Sequence, residues 1–311
     1  MTISKIAVIG ECMVELAKTN SALQYGFGGD TLNTAIYLSR LTPSTKVAVS
    51  YLTGLGNDPF SREMLDNWQS ENINTDMVYI SASKQPGIYT IETSDDGERS
   101  FYYWRNDSAA KYWLRELQEQ ALDDLVKALC HYSVIYLSGI SLAILPTDCR
   151  QRLFKILTLC RENQVRIVFD NNYRPTLWES IKVARENYEQ ILRLTDIAFL
   201  TFDDEILLFG DKTEQDSIAR TQALGVKEIV MKRGADDCYV ITDSKFITVT
   251  ANKVNNVVDT TAAGDSFSAG YMAKRLTGGN PYDSAVSGHA LASTVIQHHG
   301  AIIPHIAMPQ L

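Results

Sequence analysis

The sequence predicts an α/β fold, a doubly wound and mostly parallel sheet flanked by helices, with a small β-sheet set into it. Three observations predict this. Short apolar runs recur along the chain, and each is continuous rather than alternating, as strands buried on both faces are. Segments with helical spacing separate the runs, which gives a βαβα rhythm. One stretch, residues 86–105, breaks that rhythm with two β-rich runs around Asp95-Asp96-Gly97, a hairpin signal. The 311 residues leave room for one large α/β domain with an insertion.

The elements follow in order. The run at 5–10 reads as a first buried strand, too short for the core of a signal peptide. Two short strands at 12–17 and 24–27 belong with 86–105 to the small sheet, and a helix follows near 31–41. A strand at 46–52 precedes a helix that Asp58 caps and Pro59 starts, with Phe60, Met64, Leu65 and Trp68 on one face. Strands at 133–139, 165–170, 196–201 and 227–232 alternate with helices near 146–162, 181–194 and 214–224. Helices near 265–276 and 281–298 close the chain. In the small sheet a period of two puts Tyr89 and Ile91 on one face, with Phe101, Tyr103 and Arg105 on the matching face of the second strand. Ile88, Tyr102 and Trp104 point the other way. Aromatic residues on both faces call for two covers, a ligand cleft and either a second subunit or the chain's own body.

Lys and Arg number 29 against 37 Asp and Glu, a formal net charge of −8. Such a chain is a poor nonspecific binder of nucleic acid or anionic lipid, so neither is an expected partner. No apolar run approaches the length of a membrane span. The five cysteines are odd in number and hold no C-x-x-C pair, which suits reduced thiols in the cytoplasm rather than a disulfide or zinc framework.

Two segments carry chemistry. In DTTAAGDSFSAG (259–270) a tight Ala262-Ala263-Gly264 turn feeds a helix, so successive backbone N–H groups and the helix dipole face one point. Asp265 sits beside that anion hole, is expected to be ionised there, and suits a base that takes a proton from an attacking hydroxyl. Charge stabilisation and an oriented base are what phosphoryl transfer needs. In GFGGDTLNTAIYLSRL (26–41) adjacent glycines allow close backbone approach, Asp30 or Thr31 is placed to cap the helix, and Asp30 and Asn33 share a face suited to vicinal hydroxyls. A cap plus a polar surface residue would look the same in that segment alone.

These two segments, with DNNYRPTLW (170–178) and KRGADDC (232–238), resemble the signatures of the ribokinase (PfkB) carbohydrate kinase family over essentially the whole chain. The segments GECMVEL, FGGDTLNTA, SFYYWRN, YLSGISLAIL, FDNNYRP and VIQHHGAIIP carry a closer resemblance to the members that phosphorylate 2-keto-3-deoxygluconate (KDG). The resemblance implies one ribokinase-like domain over 1–311, with a β lid formed by about 12–27 and 86–107. It implies Asp265 as catalytic base, and Ala262, Ala263 and Gly264 as the anion hole. Gly29, Asp30 and Asn33 would hold sugar hydroxyls, and Tyr89, Tyr103 and Arg105 would reach in from the lid. Arg105 and Arg174 are the candidates for the substrate carboxylate, which a bidentate guanidinium suits. Asn172 and Arg174 would reach the site from the strand end at 170 and border the nucleotide, Asn172 toward its phosphates. Lys232, Arg233, Gly234 and Asp237 would border ATP, with His289 and Ser293 at the adenine edge. Asp259 would sit near substrate or a monovalent-cation loop, with K⁺ as its ion. Mg²⁺ is implied, and a homo-oligomer joined through the lid.

Two positions depart from the family pattern. The Asn of an Asn-x-x-Glu motif that helps place magnesium is replaced by Phe202, which leaves Glu205, alone or with Asp203, to act through water. The nucleotide turn reads Gly234 to Asp237 where a second glycine is usual. The competing readings are a fructokinase or other small-sugar kinase, and a non-catalytic sugar-binding regulator, which the intact Asp265 segment disfavours. A dinucleotide-dependent oxidoreductase lacks its glycine fingerprint, because Pro59 stands where the third glycine belongs.

Overall fold

A computed structural model describes residues 3–19, 22–93, 99–243 and 245–311. The Asp95-Asp96-Gly97 turn lies outside the described residues. A nine-stranded sheet forms the body, in the order Lys245–Val249, Cys238–Thr242, Glu228–Lys232, Ile197–Thr201, Arg166–Asp170, Val134–Ser138, Ser4–Ile9, Val47–Leu52 and Ile73–Asn74. From Glu228–Lys232 onward every pairing is parallel, and the first two strands are antiparallel additions.

The period of two along each parallel strand divides the core between the faces of this sheet. Ala7, Ile9, Ile135, Leu137, Ile167, Phe169, Leu200 and Met231 face the helices Thr147–Glu162 and Ile181–Leu192. Ile6, Val8, Val134, Tyr136, Val168, Phe199 and Val230 face Asp30–Leu41, Ala263–Leu276 and Pro281–Val295. Apolar side chains on both faces explain why the runs are continuous in sequence. The Pro59–Ser70 helix takes Asp58 as its cap, whose carboxylate accepts the Ser61 N–H at 3.1 Å. Met64 and Trp68 are buried, but Phe60 stays at the surface, edge-on to Tyr25 at 5.4 Å.

A second sheet has four strands in the order Ala22–Gly28, Met13–Thr19, Ile88–Thr93, Arg99–Trp104. Register puts Met13, Gly28, Tyr89, Phe101 and Tyr103 on one face, and Tyr25, Leu16, Thr90 and Tyr102 on the other. The first face looks onto the carboxyl ends of the parallel strands. The chain crosses between the two sheets around residues 10–13, 28–30, 86–88 and 104–108. Among the described residues no helix is long and apolar enough to cross a membrane.

Candidate active site

A cavity of about 1180 Å³ lies between the two sheets. Ligands of open α/β sheets bind at the carboxyl ends of the strands, and here strand after strand contributes there. Glu11 follows Ser4–Ile9, Ile140 follows Val134–Ser138, Asp170 ends Arg166–Asp170, Thr201 ends Ile197–Thr201 and Lys232 ends Glu228–Lys232.

At the centre is Asp265, in the first turn of Ala263–Leu276. Its Oδ2 accepts from Asn33 Nδ2 at 2.9 Å, which fixes the carboxylate on the helix Asp30–Leu41. The amide oxygen of Asn33 is buried without a partner, and Asn33 lines the cavity. Burial first, then the charge of Asp30, pushes the Asp265 carboxyl up to about 8. This corrects the expectation of a carboxylate ionised by the helix N-terminus. Lost hydration and two neighbouring acids, Asp30 and Asp170, outweigh the help from Asn33 and Lys232.

Ala263 and Gly264 line the cavity beside Asp265, whereas Ala262 is buried beneath the turn as the residue that precedes the helix. The Lys232 ammonium bonds Asp170 at 2.8 and 3.0 Å. A Cβ on Gly264 would stand 3.4 Å from that ammonium, so the lysine and the helix N-terminus face the same space.

Toward the small sheet stand Gly29, Asp30, Asn172, Tyr89, Tyr103, Arg105 and Arg174. Gly29 is forced by close approach, since a Cβ there would lie 2.1 Å from the Glu11 carbonyl oxygen. Gly29, rather than Asp30 or Thr31, precedes the helix as its cap. Thr31 is instead bonded to Tyr51 at 3.0 Å, and Asp30 Oδ2 accepts from Asn172 Nδ2 at 2.7 Å. Asn172, expected toward the phosphates, thus stands against Asp30. Tyr89 donates to Glu15 and stacks on Tyr103 at 5.9 Å. Arg105 is nearly buried and paired with Glu11, whose other oxygen accepts from Ser108 at 2.5 Å. Arg174 is half-exposed, 4.0 Å from Asp204.

The far end of the cavity is lined by Arg233, Gly234, Asn252, His289, Ser293 and Asp259. Gly234 has φ 61°, a left-handed conformation that favours glycine. Arg233 bonds Glu214 at 2.8 Å. Asp237 turns away, and its carboxylate accepts the Ala251 N–H at 3.1 Å. His289 packs edge-on against Phe267 at 5.0 Å; burial lowers its pKa, and its Nε2 is buried without a partner. Ser293 accepts from Asn252 at 3.1 Å. Asp259 accepts from the N–H groups of Thr261 at 3.0 Å and Gly300 at 2.8 Å.

Glu205 lies outside the cavity. It is 1% exposed, and its oxygens accept from Asn171 at 2.7 Å and from Arg220. Asn171 thus supplies from a neighbouring strand end the amide that Phe202 does not. Asp203 and Asp204 face the cavity in its place. Sequence reasoning missed Glu11 and Asp170 as site residues. The available signal was a carboxylate at the carboxyl end of an otherwise apolar parallel strand.

The sequence description of the pfkB family of carbohydrate kinases matches residues 3–307. The chain is 52% identical to the 2-dehydro-3-deoxygluconokinase of Escherichia coli K12, over 98% of this chain and 99% of that one. Its identity to a fructokinase of Salmonella typhimurium is 25%, covering 90% and 87%. Among solved structures, a ribokinase II candidate from E. coli in complex with ATP and Mg²⁺ superposes with a TM-score of 0.82 at 22% identity, covering 96% and 94%.

Proposed function

The chain belongs to the pfkB family of carbohydrate kinases, and we propose that it transfers the γ-phosphoryl group of ATP to the primary 6-hydroxyl of KDG, giving 2-keto-3-deoxy-6-phosphogluconate. The observation that carries the substrate is the 52% identity to a 2-dehydro-3-deoxygluconokinase along nearly the full length of both chains. The fructokinase likeness is far weaker at 25%.

KDG occupies the end of the cavity under the small sheet, which acts as a lid. Asp30 and Asn33 take its hydroxyls, and Tyr89 and Tyr103 wall it in. Arg105 and Arg174 meet its carboxylate. The nucleotide runs from Lys232 and Gly264 toward His289 and Ser293. The Ala263 N–H is held by the Thr260 carbonyl at 3.1 Å and Ala262 lies beneath the turn, so of the expected anion hole it is the Gly264 N–H at the helix start that, with the Lys232 ammonium, stabilises charge on the transferring group. Asp265 accepts the proton of the 6-hydroxyl as the new bond forms. A loose transition state lets a carboxylate serve, because the proton leaves late. The raised pKa makes Asp265 a stronger base than an ordinary carboxylate.

The residues present fit Mg²⁺. Eight carboxylates line the cavity against five Lys and Arg side chains, and Asp203 and Asp204 offer the oxygen donors that Mg²⁺ takes directly or through water. When bound with ATP the ion neutralises phosphate charge. The lid's outer face joins a second copy of the chain, and the protein acts in the cytoplasm with its five thiols reduced.

A coupled ADP-release assay across KDG, fructose and ribose tests the substrate reading. KDG is expected to give the highest kcat/KM; a neutral sugar in first place sinks the reading. The same assay in K⁺ and in Na⁺ tests a monovalent-cation requirement near Asp259.

A further inference from the structure

Two cavity residues, Asp170 and Asn172, flank Asn171, which is fully buried. Both side-chain atoms of Asn171 are engaged twice. Its Oδ1 accepts from the N–H groups of Asn172 at 2.8 Å and Thr201 at 3.0 Å. Its Nδ2 donates to the Thr201 carbonyl at 3.1 Å and to Glu205 Oε1 at 2.7 Å. Behind it, the other Glu205 oxygen accepts from Arg220 Nη2, which also bonds Asp211 at 2.7 Å. The Arg220 guanidinium lies 3.5 Å over the Phe209 ring. A continuous line of hydrogen bonds therefore runs from the outer helices through Glu205 and Asn171 to the backbone of Asn172.

That backbone is unusual. Asn172 has φ 26°, in the left-handed region, which a non-glycine residue holds only when its surroundings over-determine it. From there its side chain reaches Asp30 at 2.7 Å.

We propose that Glu205 is a positioning residue for the sugar end of the site. With Arg220 it fixes Asn171, which holds Asn172 in its strained conformation and aims it at Asp30. Glu205 therefore acts on KDG binding rather than on the metal. Its oxygens are already occupied, and it lines no part of the cavity. The inference rests on the sugar-kinase reading above.

The test compares Arg220→Met and Glu205→Gln with the wild-type full chain. Arg220 is the member of the line remote from the cavity, and Gln keeps the shape of Glu. The readouts are KDG binding by intrinsic fluorescence without nucleotide or metal, KM and kcat for KDG, and the Mg²⁺ concentration that gives half-maximal rate. Both variants are expected to weaken KDG binding and raise KM by roughly tenfold, with a smaller fall in kcat. The Mg²⁺ half-saturation stays within about twofold of wild type, because no Mg²⁺ contact is lost. Wild-type KDG binding and KM in Arg220→Met overturn the proposal. So does a Glu205→Gln variant that binds KDG normally but needs much more Mg²⁺. Should Arg220→Met fail to fold, Arg220→Lys, which keeps the charge but not the fork, is judged by the same criteria. A wild type that neither binds nor phosphorylates KDG overturns the substrate reading itself. The positioning role fails alone when the wild type is active and both variants match it.

Discussion

At the scale of single residues, Asp265 carries most consequence. Asp265→Asn is expected to lower turnover by roughly 10²–10⁴-fold, about 3–5 kcal/mol; near-full activity in that variant would end its assignment as base. The acceptor must be unprotonated, and its folded-state pKa is raised. The kcat/KM profile should therefore climb with pH along a limb displaced upward from the ordinary carboxylate range. Stability has the opposite sign. Above about pH 4 the unfolded chain ionises this carboxyl while the folded chain resists. The wild type thus loses stability relative to Asp265→Asn as pH rises toward about 8. The difference in Tm should be constant in acid and shift in favour of Asp265→Asn toward neutrality, as thermal melts across pH would report. Arg105 offers a second test. Its pairing with Glu11 orients it, so Arg105→Leu should raise KM for KDG by roughly tenfold or more, and Arg105→Lys should also be impaired because a point charge does not reproduce the fork. Unchanged affinity in Arg105→Leu excludes it as a carboxylate ligand.

At the scale of elements, the glycine before Asp30–Leu41 sets how close that helix comes to the first strand. Gly29→Ala must displace the Glu11 carbonyl, a backbone atom 2.1 Å from the added carbon. It should cost about 1–3 kcal/mol of stability and weaken KDG binding, as denaturant melts and titration would show. The parallel strands were legible because burial on both faces leaves an unbroken apolar run, as at Ile6–Ile9. The helix Ala263–Leu276 was legible through its small-residue start and Asp265. What the sequence hid were pairings between distant segments. Nothing local shows that Glu205 meets Asn171, that Glu11 meets Arg105, or that Asn172 turns to Asp30. The raised pKa of Asp265 is hidden in the sequence for the same reason. The helix N-terminus is visible in the string, whereas Asp30 and Asp170 approach only through the fold. Phe60 shared the helical face of Met64 and Trp68 but lies past the end of the core.

At the scale of the whole molecule, the net charge of −8 repels both substrates, so affinity rests on a few cations and on Mg²⁺. The outer face of the four-stranded sheet shows Leu23, Tyr25, Tyr102 and Trp104 to solvent, at 67%, 53%, 49% and 63% exposure. So much apolar surface fits a subunit contact. Tyr102→Ser with Trp104→Ser should shift the sedimenting species toward monomer; a wild type that already sediments as a monomer removes the contact. The four chain crossings that join this sheet to the body converge on one residue, Glu11. The Glu11 carbonyl abuts Gly29, its carboxylate takes Arg105 and Ser108, and Oε1 lies 3.3 Å from where a Cβ on Gly87 would sit. A fastening shared by all four crossings makes Glu11 a common anchor, so a change at this one residue bears on every connection between the two sheets at once.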